Sequence, residues 1–175
     1  KYGTNPTYIT SSTQITLSAE DEGSGVQVTY YKIDNGDDQL YSNPITISSE
    51  GPHTITYWSE DKAGNVENAK TLSVYVDNSG PTIENIQIEP SYSDGTNLYI
   101  SGTSTISASV NDGDGSGVAS CEYTLDGGIN WNFAEYDSEN HLCKAENVDT
   151  SGATSINFRA TDYVENTGKG AAVNV

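Results

Sequence analysis

Two short stretches hold the groups best equipped for chemistry. "EDKAGN" (Glu60–Asn65) and "TDYVEN" (Thr161–Asn166) each follow an apolar run, place an Asp second and close with an Asn four residues later. Two other loops, "EDEGSG" (Glu20–Gly25) and "NDGDGSG" (Asn111–Gly117), mix carboxylates with glycine. Carboxylate and amide oxygens at turn spacing are hard ligands. Ca²⁺ takes roughly six to eight such oxygens, and glycine lets backbone carbonyls turn inward to complete the shell. The simpler chemistry for each residue is an Asx turn, in which the side chain bonds its own local backbone. "DGDGSG" superficially resembles an EF-hand loop, but the twelfth residue counted from Asp112 is Tyr123 rather than Glu, and no flanking helices are readable, so that motif is excluded.

Loops so far apart need a scaffold to bring them together, and the chain's repetition indicates which. "GSGVQVTYYKIDNG" (Gly23–Gly36) lies over "GSGVASCEYTLDGG" (Gly115–Gly128): Tyr31 falls on Tyr123, Ile33 on Leu125, Asp34 on Asp126 and Gly36 on Gly128. "ITYWSEDKAGNVE" (Ile55–Glu67) falls on "INFRATDYVENTG" (Ile156–Gly168), so Asp61 meets Asp162 and Asn65 meets Asn166. Self-similarity of this kind marks a duplicated structural unit. The second copy carries nine more residues between its Gly-Val and its Asp, in the region of Cys143. Gly80-Pro81 inside "VDNSGPTI" (Val76–Ile83) is a turn and linker signal. "TNPT" (Thr4–Thr7) opens the first copy in a similar way. The expected domains are 1–78 and 79–175.

Within each copy, β-forming residues alternate with polar ones. Thr13–Ala19 alternates around Ile15 and Leu17, and Val26–Ile33, Ile45–Ile47, Thr54–Trp58 and Leu72–Val76 continue the series. Cys121, Tyr123 and Leu125 share one face at the two-residue period of a half-buried strand. "DNG" (Asp34–Gly36) and "DGG" (Asp126–Gly128) read as hairpin turns with Gly or Asn at positive φ. About seven short strands per copy, spaced near ten residues, specify an all-β protein of two tandem immunoglobulin-like β-sandwich domains. A small closed barrel is the competing architecture.

Composition narrows the setting. Of 175 residues, 25 are acidic and 7 basic, a net charge of −18. Such a surface repels nucleic acid and anionic lipid. No run approaches the roughly 20 apolar residues of a membrane span, so direct membrane insertion is not expected. The opening "KYGTNPTYIT" reads as an excerpt of a longer precursor, so the missing signal peptide carries no information about compartment. Cys121 and Cys143 are most simply a disulfide. It closes a loop of about 23 residues, contributes on the order of 3 kcal/mol and belongs in an oxidising compartment. Two buried free thiols are the alternative.

The pattern Asp21, Ser24–Val26, Tyr31, Ile33–Asp34, Gly36, Tyr41, Pro44–Ile45, Gly51, His53–Ile55, Tyr57 and Asp61 through Glu67 resembles the bacterial and archaeal Ig-like repeats of cell-surface proteins. Such modules occur in adhesins, in surface-layer-associated proteins and as trailing modules of secreted enzymes. The resemblance covers nearly all of copy one. In copy two it covers Asp112–Gly128 and Ile156–Asn166, where "VEN" replaces "AGN". It implies an Ig-like fold and an extracellular setting, secreted or at the cell surface, without fixing one function.

In an Ig-like sandwich the loop after the second strand and the loop between the last two strands share one pole. Asp112, Asp114 and Asp162 are therefore expected at one end of the second module, where the first arrives with Asp77. A Ca²⁺ site is expected there, built from Asp77, Asp112, Asp114, Asp162 and Asn166. The equivalent set in copy one is Glu20, Asp21, Asp61 and Asn65. Calcium-stiffened junctions are also what the resemblance to adhesin repeats implies.

Trp58 and Trp131 are expected in core or edge packing, with a glycan-stacking role as the other reading. Tyr57 and Trp58, being adjacent on a strand, point to opposite faces. His53 and His141 are single and lack zinc-site partners. No Gly-x-Ser-x-Gly elbow is present. Lys32 is the candidate for a self-formed Lys–Asn isopeptide bond. The resulting expectation is a non-catalytic, extracellular spacer of adhesin or surface-layer type, rigidified by Ca²⁺. Its partners are neighbouring Ig-like modules of the same chain, with surface glycan or lattice neighbours beyond them. An accessory carbohydrate-binding module of a secreted hydrolase is the alternative, distinguished by an exposed aromatic row on one sheet face.

Overall fold

The computed structural model describes residues 6–175. Thr4 and Asn5 of the "TNPT" opening lie outside the described residues. Strands and turns make up the described chain, with no helix, and it divides into two compact units, Lys1–Asn78 and Ser79–Val175. The protein is all-β, and both units are immunoglobulin-like sandwiches.

Unit 1 contains β1 (Thr7–Ile9), β2 (Val26–Ile33), β3 (Gln39–Leu40), β4 (Gly51–Asp61) and β5 (Lys70–Val76). Its sheet runs β1-β5-β4-β2-β3, with β1 parallel to β5 and the other pairs antiparallel. Alternation sorts the side chains. Ile33 pairs Ile55, Ile55 pairs Leu72, His53 pairs Val74 and Gly51 pairs Val76, all on the inner face. The second layer is minimal: Ile15 and Ile45 exchange two backbone hydrogen bonds of 2.9 Å. Ile9, Ile15, Ile45 and Ile47 close over Ile55, Val74 and Val76 to form the core. Each fully buried aliphatic side chain contributes about 1.5–3 kcal/mol.

The continuous strands expected over Thr13–Ala19 and Ile45–Ile47 are absent, and a single bridge stands in their place. A tight turn from Thr10 to Thr13 precedes it, with Thr13 N donating to Thr10 O at 3.0 Å. Gln14, Thr16 and Ser18 face solvent. The apolar alternation anchors this layer even where the ladder does not extend. Lys32 pairs Thr56 on the outer face, so it lies away from the core that an isopeptide bond requires.

Unit 2 contains β6 (Thr82–Ser93), β7 (Leu98–Asn111), β8 (Val118–Thr124), β9 (Asn132–Asp137), β10 (Leu142–Asp149), β11 (Ser155–Asp162), β12 (Thr167–Lys169) and β13 (Val173–Asn174). Strand order is β12-β11-β8-β9-β10-β7-β6, with β13 beside β11. β9 pairs β8 where β3 pairs β2, Tyr123 with Asn132 as Tyr31 with Gln39, but it runs on further. Its first half pairs β8 (Cys121↔Ala134) and its second half pairs β10 (Cys143↔Tyr136). One continuous sheet thus folds over on itself, and the two layers join along one flank. The barrel expected as competitor is realised on that flank alone, because β6 and β12 remain the ends of the sheet.

The disulfide Cys121–Cys143 ties β8 to β10 across the core, Cα to Cα 5.7 Å. It is surrounded by Ile106, Ala108, Val110, Ile156, Phe158 and Ala160. On the open flank, backbone packs on backbone: a Cβ at Gly168 would sit 1.6 Å from Pro81 O. Only glycine fits there.

One of the two hairpin turns follows expectation and the other differs. In "DGG", Gly127 and Gly128 take φ of +74° and +95°. In "DNG", Asp34 itself takes the left-handed conformation, φ +53°. Its carboxylate is held on both oxygens: Thr54 N donates to Oδ1 at 2.8 Å, and His53 Nδ1 lies 2.8 Å from Oδ2. These cross-strand bonds hold Asp34 in a conformation that Asp enters more readily than most residues with a Cβ.

Replacing both cysteines by alanine lowers the stability of unit 2 by about 3 kcal/mol. Guanidinium unfolding followed through Trp131 reads this loss, while the transition followed through Trp58 in unit 1 stays in place.

Candidate functional site

The loop after β4 in unit 1 and the loop after β11 in unit 2 are each locked by the Asp that ends the strand. In unit 1, Asp61 Oδ1 accepts from Ala63 N at 2.8 Å and Asn65 N at 2.9 Å, and Oδ2 accepts from Asn65 Nδ2 at 2.8 Å. In unit 2, Asp162 Oδ1 accepts from Val164 N at 2.8 Å and Asn166 N at 2.9 Å, and Oδ2 accepts from Asn166 Nδ2 at 2.8 Å. The two turns agree bond for bond. The hydrogen bonds from Asn65, through its side chain and its backbone, hold the Asp61 carboxyl below the ordinary carboxylate value.

The same turn needs a left-handed residue before the Asn. Gly64 supplies it at φ +87°. Glu165 occupies the same place at φ +74°, a conformation that costs a residue with a Cβ about 1–2 kcal/mol. Nothing in a Glu signals positive φ. Its alignment with Gly64 across the copies is the one sequence signal that could have found it.

The second loop docks beside the first in both units. Asp21 Oδ2 accepts from Gly25 N at 2.7 Å, and Gly25 O accepts from Lys62 N at 3.0 Å. Asp112 Oδ2 accepts from Gly117 N at 2.7 Å, and Gly117 O accepts from Tyr163 N at 3.1 Å. One extra residue separates Asp112 from its glycine. Gly115 fits against it because a Cβ there would lie 2.6 Å from Asp112 Oδ2.

Within unit 1, Glu20, Asp21, Asp61 and Asn65 all line one cleft of about 330 Å³. Glu60 and Glu67 add to its acidic wall, and Val26, Tyr57 and Val66 form apolar lining. Lys70, the cation in the cleft, pairs with Glu67 at 2.6 Å. Within unit 2, the loops bearing Asp112 and Asp162 are neighbours through the Gly117–Tyr163 bond. Asp162 is 2 % exposed, Asp112 and Asn166 are half-buried, and Asp114 is exposed. Asp77 follows β5 in unit 1; it is 1 % exposed and its N donates to Ile9 O at 2.8 Å.

The tryptophans have separate environments. Trp58 lies on the outer face of β4, stacked on Tyr30 with ring centroids 5.7 Å apart, while Tyr57 packs toward the core. Trp131 is covered by the Arg159 guanidinium at 4.4 Å and approached by Lys169 Nζ at 5.4 Å, and its Nε1 donates to Gly128 O at 3.1 Å. Arg159 in turn bonds Glu122 at 2.6 Å. His53 is engaged by Asp34 and Ser49.

Comparison with protein-family models and with curated proteins gives no match. Among solved structures the chain is similar to the D00-D0 domain of Intimin, at 12 % identity and a TM-score of 0.43, covering 95 % of this chain and 93 % of that one. It is also similar to SGBP-B of the Bacteroides ovatus mixed-linkage glucan utilization locus, solved in complex with a mixed-linkage heptasaccharide. There the identity is 15 %, the TM-score 0.31, and the match covers 97 % of this chain and 42 % of that chain's length. Likeness at these scores bears on neither ligand nor activity, and the fold assignment stands on strand order and register.

Exchanging the left-handed residues separates the two turns. Gly64→Ala destabilises unit 1 by about 1–2 kcal/mol, and Glu165→Gly stabilises unit 2 by about 0.5–1 kcal/mol. Asp162→Ala, which removes the acceptor of two N–H groups in a part-buried turn, costs unit 2 about 1–3 kcal/mol. Denaturant midpoints of the single variants check all three.

Proposed function

We propose that the chain is a non-catalytic structural segment of an extracellular protein of adhesin or surface-layer type, a spacer made of Ig-like modules and stiffened by Ca²⁺. One observation carries the reading: two units with separate cores close the same pair of loops with the same hydrogen bonds. Repetition of one build is how a chain gains length without enlarging a core. The disulfide supports an oxidising compartment. No helix among the described residues is long and apolar enough to cross a membrane. The partners proposed are neighbouring modules of the same chain, and lattice neighbours beyond them.

The finer part of the proposal assigns Ca²⁺ to the pole loops. Asp112, Asp114, Asp162 and Asn166 are its ligands in unit 2. Glu20, Asp21, Asp61 and Asn65 are the ligands in the unit 1 cleft. The donor set fits a hard cation, being all oxygen. A carboxylate oxygen that accepts an N–H keeps lone-pair capacity for a metal, so turn closure and cation binding are compatible in one residue. A cation also offsets the repulsion among these like charges, and an occupied loop pair is less free to move than an empty one.

Calorimetry of the chain in Ca²⁺ and in chelator tests this. Melting rises with free Ca²⁺, by about 2.7 kcal/mol of added stability at a hundredfold excess over Kd, and Asp162→Asn reduces the rise. Superimposable melts in Ca²⁺ and chelator contradict the metal assignment.

A further inference from the structure

We infer that the outer face of the unit 1 sheet binds a neutral polysaccharide chain. Register fixes which side chains share this face. Tyr8, Tyr75 and Pro52 are paired across β1, β5 and β4 at one end. Leu40, Tyr30 and Trp58 are paired across β3, β2 and β4 at the other. Between them lie the pairs Ser73–Thr54 and Thr71–Thr56, the latter continued by Lys32. From Pro52 to Trp58 is six steps along one strand, about 20 Å at the usual rise.

The aromatic groups are built as pairs. Tyr8 and Tyr75 have centroids 5.3 Å apart at 38°, and Tyr30 and Trp58 lie 5.7 Å apart at 19°. All four rings are half-buried, which fixes their orientation while leaving surface open. Leu40 is 64 % exposed beside them. An aromatic face is electron-rich, and the C–H face of a sugar ring presents the complementary partial charge. The Ser and Thr hydroxyls between the pairs donate and accept hydrogen bonds, as a sugar's own hydroxyls require. Two aromatic ends about 20 Å apart suit an extended oligosaccharide rather than a single sugar.

Charge decides between neutral and ionic occupants. The chain has 25 acidic residues, yet among the described residues the paired positions between the two aromatic pairs carry one charged side chain, Lys32; Glu60, paired with Val28, lies beyond the Trp58 end. A face so depleted in charge on so acidic a molecule offers a polyanion or polycation little electrostatic gain. Trp131 in unit 2 has Arg159 against its ring and is not part of this surface.

The test mixes the 175-residue chain with insoluble cellulose, mannan and chitin, with polygalacturonate as the charged control. At least one neutral polymer retains the chain, equally at low and molar salt and equally in chelator, which separates this inference from the Ca²⁺ reading. Trp58→Ala weakens retention about tenfold. Tyr8→Ala, on a three-residue edge strand at the opposite end, does the same while circular dichroism and melting of unit 1 stay near those of the parent. Trp131→Ala changes nothing. Failure of all three neutral polymers to retain the chain overturns the inference. So does binding abolished by salt, or undiminished retention by both the Trp58 and Tyr8 variants.

Discussion

The interaction on which the rest depends is a carboxylate oxygen accepting a backbone N–H two to five residues further along. Short strands demand frequent turns, and each turn strands backbone donors that must be satisfied. This chain satisfies them with aspartate. Asp21, Asp61, Asp112 and Asp162 close the pole loops. Asp94, Asp126, Asp137 and Asp149 each hold a turn in unit 2 in the same manner. Eight of the 25 acidic side chains are thus accounted for by turn building. The charge-assisted bond is stronger than a neutral one, which suits loops that enclose few apolar contacts.

That constraint also shapes what the poles can do. Closing a turn with Asp leaves a carboxylate fixed in place beside a second loop closed by another. The geometry is set by backbone hydrogen bonds, so under the proposed Ca²⁺ assignment a cation would meet positioned oxygens rather than flexible chains. Where an Asn ends the turn, its side-chain amide donates to the Asp and its backbone carbonyl accepts from the Asp N–H, so the loop is stiff at both ends. The opposite economy governs the outer sheet face of unit 1. No turns interrupt it, few carboxylates appear on it, and aromatic and hydroxyl side chains occupy the space.

Much of this was legible in sequence, for identifiable reasons. Gly-Ser-Gly-Val and the Asp-to-Asn spacing recur, so the paired loops and their contents could be aligned by eye. Period-two alternation located β2, β4, β5 and β8, and it put Tyr57 and Trp58 on opposite faces; the structure shows Tyr57 toward the core and Trp58 outward. The short second layer of unit 1 was overread as strands, because alternation reports which side chains are buried and not how far a ladder extends. The sheet-switching role of β9 rests on its second half, which extends past its short counterpart β3 and so has nothing in the first copy to align with. Glu165 at positive φ was hidden by its residue type. The outer-face row was half visible: "PHTITYW" alternates Pro52, Thr54, Thr56 and Trp58 against His53, Ile55 and Tyr57. The partners Tyr8, Tyr75 and Tyr30 emerge only with the register.

The turn-closing role of aspartate is tested most directly by following each Asp carboxyl carbon by NMR as the pH falls. Hydrogen bonds hold Asp34, Asp61, Asp126, Asp137 and Asp149 below the ordinary value of 3.8, and backbone donors at Asn97 and Thr96 bring Asp94 to about 2. A carboxyl depressed in the folded state contributes stability that is present above its unfolded value and lost as the pH drops through its folded one. The titration midpoints of these residues should therefore lie below 3.8, with Asp94 near 2, and stability should decline across the same interval. Midpoints at or above 3.8, with stability flat through that range, would show that these carboxylates only decorate the turns.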